Sequence, residues 1–543
     1  MIYSFLFFYF FDIVKVGDYM KVIDRKEVAS LIKDGDTVLI SGSGGSGSPE
    51  ALIKSVMDSY LETSHPKNIT VSCGISPGNL TTDDVGMNML AKEGLVGKAI
   101  CAHLGMGKVF GNAIGNNQFP AYAVPLGVMN HLYRAIAGHE VGVITHIGLG
   151  TCADPRLDGC CANEKAKALD PIVEVVNIGG KENLFYHSFK VDVALLKASY
   201  ADENGNISFE EEGILGEQYN MAIAAHNSGG IVIVEVKGIK ESNSLRAKDV
   251  LIHSSLVDYV VVNPPTDLLG EYNLPFYRPE ITGDKKIKLE DIKIRSLDER
   301  KVCGRRCMLE LNKGDVVNLG VGMPDSVANA CAEEGISDYI YLSVESGPTG
   351  GVPIGGVVFG ASVNPDSLIP TAEQFDAYNG GSLDMAIVGL AEVDKEGNVN
   401  VSKFGTRVTG PGGFINITQS TKKIIFMGTF TAVNLEEKVE DGKLVITKEG
   451  EKHKFVDRVE QITFSAKEAI KDNREVLYVT ERGVFKLTDK GIMLIEIAPG
   501  VDLEKDILSN MSFKPLISDN LKTMDIRIFK DEKMNIKDEF LNK

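Results

Sequence analysis

The sequence predicts an α/β protein made of two related open α/β domains with largely parallel sheets and an active site between them. Three observations carry this reading. Strand-like apolar runs alternate with helical patterns in both halves, as in TVLIS, then PEALIKSVMDSYLE, then NITVSCGI, which is the rhythm of βαβ units. Two segments recur in the same order: residues 31–42 (LIKDGDTVLISG) return as 311–322 (LNKGDVVNLGVG), and 193–209 (VALLKASYADENGNISF) as 386–402 (AIVGLAEVDKEGNVNVS). Finally, 543 residues at roughly 100 to 200 per domain make two to four domains, not one.

In chain order, residues 2–11 are an almost unbroken apolar run ending at Asp12. No Lys or Arg precedes the run, no small-residue cleavage site follows, and it is too short to span a bilayer. Met20 opens an ordinary domain, so residues 1–19 read as an over-called start without function. The first domain is placed at 20–283. In it, a short helical segment ends at a Gly-Asp turn and feeds an apolar strand that runs into glycines. The same motif opens the second half, and Asp-x-x-Gly-Asn is the turn shared later in each. About 87 more residues separate Asp36 from Asp202 than Asp315 from Asp394, so the first half is the enlarged copy. Residues 284–300 (DKKIKLEDIKIRSLDER) alternate in charge and read as a solvated linker or surface helix. The second domain is placed at 301–520. Its residues 438–456 carry Asp441-Gly442 and Glu449-Gly450 turns, the marks of one or two exposed hairpins. Residues 521–543 read as a polar tail.

Composition narrows the function. At 43% hydrophobic and 24% charged residues the chain is ordinarily globular, with 56 glycines as its one excess. Its 75 acidic against 57 basic residues leave a net charge of −18, the wrong sign for a protein that neutralises phosphate backbones. Neither nucleic acid nor membrane is an expected partner. Eight cysteines are too sparse for a disulfide scaffold and read as reduced thiols of a cytoplasmic protein. Neither Cys303 with Cys307 nor Cys160 with Cys161 has zinc-ligand spacing, and His131, His139 and His146 form no H-E-x-x-H, so no metal is expected.

The first glycine cluster, residues 42–49 (GSGGSGSP), lies between a strand and a helix-like segment starting near Pro49. That placement can present backbone N–H groups to an anion, although a tight turn accounts for the same glycines. Residues 340–351 (IYLSVESGPTGG) say more: an apolar strand delivers Glu345 into a glycine-rich turn, at the carboxyl end where open α/β sheets bind ligands. Ser343, Ser346 and Gly347 are small enough to admit an acyl group and its leaving group. A lone Glu in such a turn is more often a backbone hydrogen-bonding partner than a nucleophile. Two further glycine segments strengthen the chemical reading. Gly320, Val321, Gly322, Met323 and Pro324 (GVGMP) follow a second-half strand, and GPGGF, with Gly410, Gly412 and Gly413, precedes the apolar INI. Both can supply the N–H donors that a carboxylate attacking an acyl carbon needs for the oxyanion. GPGGF also reads as a simple strand connection.

Glu345 in this setting, GVGMP, AEVDKEGNVNVS and GPGGF together resemble the second half of family I CoA-transferases, and the likeness extends over roughly residues 21–515. DGDTVLISGSGGSGSP is similar to that family's amino-terminal signature. Residues 145–159 (THIGLGTCADPRLDG) and 478–508 resemble its single-chain acetate or propionate CoA-transferases. The resemblance implies that Glu345 becomes a glutamyl-CoA thioester, that GVGMP contacts CoA, and that the GPGGF glycines lie beside the thioester. It implies ping-pong transfer of CoA from a short-chain acyl-CoA to a carboxylate such as acetate or propionate. The CoA thioester is then substrate and covalent intermediate, with no tightly bound cofactor, and the protein a homo-oligomer. Ser41, Ser43 and Leu126 depart from the family pattern; Leu126 stands where Gln is expected, implying a changed acyl pocket or another donor. Two alternatives are an acyl-CoA hydrolase using the same glutamate and a non-catalytic ligand sensor on the same scaffold. Glu345 is expected to be ionised at neutral pH.

Overall fold

The structure, a computed structural model, describes residues 20–78, 83–263, 277–288, 295–320, 322–355 and 358–543. Residues 1–19, the proposed over-called start, lie outside the described residues.

The first half is built on an eight-stranded sheet: β1 (Lys21–Val22), β2 (Thr37–Ile40), β3 (Ile69–Ile75), β4 (Val96–His103), β5 (Ala121–Ala123), β6 (Val193–Lys197), β7 (Ile231–Val236) and β8 (Tyr259–Val262). The strands run in the order β1-β8-β7-β6-β2-β3-β4-β5, and every pairing is parallel. The near-continuous apolar strands follow from burial on both faces. The second half carries a ten-stranded sheet: β9 (Val316–Leu319), β10 (Tyr341–Ser343), β11 (Pro348–Thr349), β12 (Ser367–Leu368), β13 (Met385–Gly389), β14 (Lys423–Met427), β15 (Glu475–Val479), β16 (Gly483–Thr488), β17 (Gly491–Ile497) and β18 (Leu516–Thr523). Their order is β12-β11-β10-β9-β13-β14-β15-β16-β17-β18. The run β10-β9-β13-β14-β15 is parallel throughout and matches β3-β2-β6-β7-β8 strand for strand.

The repeat seen in the sequence has matching hydrogen bonds. Thr37 N donates to Asp192 Oδ2 at 3.0 Å where β2 meets β6, and Val316 N donates to Asp384 Oδ2 at 3.1 Å where β9 meets β13. In the shared turn, Asp202 Oδ1 accepts from Asn206 N and Asp394 Oδ1 from Asn398 N, both at 2.9 Å. Gly205 and Gly397 lie at φ +90° and +95°, a region open to glycine at little cost. The surplus of the first half falls between β3 and β6. It comprises β4, β5, the helix Leu126–Ala137 and a three-stranded antiparallel sheet of Gly142–Thr145, Lys181–His187 and Val173–Ile178.

Three expectations change in detail. The helix Glu299–Met308, capped by Asp298 through Lys301 N at 2.8 Å, begins inside the charged stretch 284–300 and is buried; residues 289–294 lie outside the described residues. Residues 521–543 are polar in composition but dock on the second half. Ile528, Phe529, Met534, Ile536 and Phe540 are buried, and the wholly buried Arg305 donates to the carbonyls of Lys530 and Glu532 at 2.6 and 3.0 Å. GPGGF leads into a helix, Phe414–Ser420, and not into a strand. Its β-branched residues favour a strand locally, yet the segment is helical, with Phe414 packed on Phe426 at a centroid distance of 5.7 Å. The expected hairpin is present as Glu436–Glu440 against Lys443–Lys448, turning at Asp441 and Gly442.

Candidate active site

The carboxyl ends of parallel strands from both sheets open onto one cavity of about 530 Å3. Ile75 and His103, the last residues of β3 and β4, come from the first half; Leu319 and Gly389, the last of β9 and β13, come from the second. Val344, Phe359, Val388, Val401, Phe414 and Ile417 make most of the wall apolar.

Glu345 enters this cavity just beyond β10, and its backbone is held from several sides. Ser343 Oγ meets Tyr378 Oη at 2.7 Å and accepts from Gln374 Nε2 at 2.5 Å, while Asn318 Nδ2 donates to the Ser343 carbonyl at 3.1 Å. After Glu345, Ser346 Oγ donates to the Gly360 carbonyl at 2.5 Å and Gly347 N to the Val344 carbonyl at 3.0 Å. Gly347 lies at φ +121°, and a Cβ there would overlap the Ile369 carbonyl, so this turn needs glycine. The carboxylate itself, on a residue only 8% exposed, is held by packing: a Cβ built on Gly413 would overlap Oε2 of Glu345. Burial pushes the Glu345 carboxyl up to about 7, and among the described residues no cation or donor is arranged to favour the charged form. Where the sequence reading has Glu345 ionised at neutral pH, desolvation in the cavity instead raises its carboxyl to near neutrality.

The other expected site residues divide. Gly320, Gly410, Gly412 and Gly413 line the cavity with Glu345. Gly322, Met323 and Pro324 do not reach its wall; they lead into the helix Asp325–Glu334. Val321 lies outside the described residues. Burial pushes the Asp325 carboxyl up to about 6 against the Gly322 amide, so this helix start already holds a carboxyl group of its own.

The loop 42–49 resolves in favour of the tight turn. Ser43 and Ser46 exchange backbone hydrogen bonds at 2.8 and 3.0 Å, and the start of the helix Glu50–Thr63 is filled from within. Glu235 Oε2 accepts from Ala51 N at 2.8 Å while its Oε1 pairs with Lys197 Nζ at 3.0 Å. Ser41 Oγ donates to the Gly47 carbonyl at 2.9 Å and so has a structural use. Leu126 is buried behind the wall, its amide donating to the Gly412 carbonyl at 2.8 Å. The three histidines do not converge: His131 meets Asp376 at 3.0 Å and His146 meets Ser420 at 3.2 Å. Among the described residues no group of three or more His, Cys, Asp or Glu is placed to hold a metal ion, and no helix is long and apolar enough to cross a membrane.

His103 was not anticipated, although its signal was legible: AICAH, a short apolar run ending in one polar side chain before the glycines of LGMG, repeats the pattern that exposed Glu345.

These features have close relatives. A family model described as coenzyme A transferase matches residues 23–263. The caffeate CoA-transferase of Acetobacterium woodii is 46% identical over 517 residues, covering 94% of this chain and 98% of that one. The chain belongs to the coenzyme A transferase family. The acetate CoA-transferase YdiF of Escherichia coli (strain K12) is 41% identical over 525 residues, 96% and 97% of the two chains. Among solved structures, the acyl-CoA transferase YdiF of E. coli O157:H7, in a thioester complex with CoA, superposes with a TM-score of 0.88 at 39% identity, covering 95% of this transferase and 97% of that chain. The two-domain α/β architecture of the CoA-transferase is thus shared over nearly its whole length.

Proposed function

We propose that this CoA-transferase moves coenzyme A from a short-chain acyl-CoA to a carboxylate such as acetate or propionate through a thioester on Glu345. The observation that carries the reading is a buried carboxylate at a strand end, unpaired among the described residues and set against Gly413 in an apolar cavity between the two halves. The solved thioester complex of the E. coli YdiF relative supports it. A Glu345 oxygen attacks the acyl-CoA carbonyl, expelling CoA thiolate and leaving a mixed anhydride. The thiolate then attacks the glutamyl carbonyl, releasing the first acid as its carboxylate and leaving CoA on the enzyme. An incoming carboxylate reverses these steps.

A carboxylate is a weak nucleophile, so rate must come from positioning and from donors aimed at the developing oxyanion. The immobilised Ser343–Gly347 turn supplies the first. The backbone around Gly410, Gly412 and Gly413 is suited to the second. The apolar wall keeps water from the anhydride and thioester, which separates transfer from hydrolysis. The scheme requires neither a metal nor nucleotide hydrolysis.

Mixing the protein with propionyl-CoA and mapping it by mass spectrometry should give a CoA-sized, borohydride-sensitive adduct on the peptide containing Glu345. An unmodified peptide would remove the proposal. Acetate, propionate and caffeate, offered as acceptors, measure the range of the acyl site. Caffeate is included because of the Acetobacterium relative and the 530 Å3 apolar cavity. Thioester loss at the same rate without any acceptor would instead favour the hydrolase.

Only the ionised form of Glu345 attacks, and its carboxyl sits at about 7. The kcat/KM for acyl-CoA should therefore rise with pH, fall about tenfold per unit below 7, and level off above it. A pH profile flat down to 5 would contradict the assignment.

A further inference from the structure

His103, the last residue of β4, shares the cavity wall with Glu345 although it comes from the other half of the molecule. Its ring is seated between two glycines: a Cβ on Gly105 would come within 2.7 Å of Cε1, and one on Gly412 within 3.3 Å of Cδ2. Gly412 is next to Gly413, the residue against which the Glu345 carboxylate packs. Nδ1 is buried without a hydrogen-bond partner, and Nε2 bonds to no described residue. Nε2, unlike Nδ1, is not sealed from the cavity, and a polar ring nitrogen on such a wall with no partner among the described residues is open to a ligand group.

Two other polar side chains of the wall have spent their donors within the protein. Thr409 Oγ1 donates to the Val401 carbonyl at 2.9 Å, and Asn318 Nδ2 to the Ser343 carbonyl and Tyr378 Oη at 3.1 and 3.3 Å. Arg407 is exposed. His103 is thus the uncommitted neutral donor inside the cavity among the described side chains. Burial, with a smaller effect of the Arg407 cation, pushes its imidazole down to about 4, so at neutral pH the ring carries one proton and no charge. With Nδ1 sealed in the wall, that proton belongs on Nε2, which can still reach a partner.

We propose that His103 Nε2–H donates a hydrogen bond to a carboxyl oxygen of the acid substrate, fixing it for transfer to and from Glu345. The proposal rests on the reading of Glu345 as the CoA carrier. No proton moves: the acid arrives and leaves as a carboxylate, and the imidazole remains neutral.

The test compares His103→Phe, which keeps a ring without a donor, with His103→Gln, whose amide returns an N–H at similar reach. Each is loaded with propionyl-CoA, and transfer to acetate is followed alongside the Glu345 adduct, free CoA affinity and thermal melting. His103→Phe should lower kcat/KM for acetate by roughly 100-fold with CoA affinity unchanged, and His103→Gln should recover to within about tenfold of the parent. If His103→Phe melts early, His103→Met takes its place. Donorless variants within about threefold of the parent, or a Gln variant as impaired as the donorless one, would overturn the role of His103. Absence of the adduct in the parent protein would instead sink the Glu345 reading on which it rests.

Discussion

Glu345→Ala is expected to lose CoA exchange by more than about 10^4-fold and to show no CoA adduct, while remaining folded. The backbone bonds that shape the turn come from Ser343, Ser346 and Gly347, so removing the carboxylate leaves them in place. Glu345→Gln should be as inactive, and more stable at alkaline pH. The carboxyl ionises at 4.5 when exposed and at about 7 in the cavity. Between those values the folded state keeps a proton that the unfolded chain has released, so stability falls as pH rises from 4.5 through 7. The loss is complete above 7 and corresponds to roughly 3 kcal/mol. Gln removes that cost. Denaturant titrations at pH 4.5 and pH 8 should therefore show little difference from the parent at the lower pH and a stabilised variant at the higher. Stabilisation equal at both would mean that Glu345 is not strained by ionisation. Activity within tenfold of the parent would end the case for it as nucleophile.

Gly413→Ala should cost roughly 100-fold in kcat/KM without loss of the fold. Gly413 lies at φ −80°, where alanine is at ease, so backbone strain is not the cause. The cause is space: the new methyl would occupy the place of Oε2 of Glu345, with Cδ only 2.8 Å away and the Phe375 ring at 3.1 Å. Phe375 is fully buried, so the carboxylate is the group that moves. Measuring the rate of adduct formation in one turnover isolates the effect, since acyl-CoA binding through its remote end should change little. A Gly413→Ala enzyme that forms the adduct at the parental rate would show that this contact does not position the nucleophile.

Much of the architecture was legible because it is written locally. An apolar run followed by a glycine turn marks a strand end wherever it occurs, and the Asp-x-x-Gly-Asn turn requires its two side-chain roles within five residues. The matching of β3-β2-β6-β7-β8 with β10-β9-β13-β14-β15 follows from those signals. Glu345 and the Gly410, Gly412 and Gly413 segment were found in the same way. The loop 42–49 carried the same local signal, yet its helix start is filled by Glu235, which lies 184 residues from Ala51 in the chain. The docked tail was hidden similarly, since its apolar residues are sparse and their partners, such as Arg305 and Glu334, lie 200 or more positions away.

By itself the sequence determined two related parallel-sheet halves, their strand ends and turns, and a carboxylate delivered at one of those ends. Tertiary structure alone decided that Glu345 meets Gly413 and shares a cavity with His103, that its proton is held to about 7, and that the first glycine loop serves the protein's own carboxylates. The physical reason is range. Turn and strand preferences are settled by neighbours in sequence, whereas desolvation and donor pairing depend on whatever distant segment packs against the group.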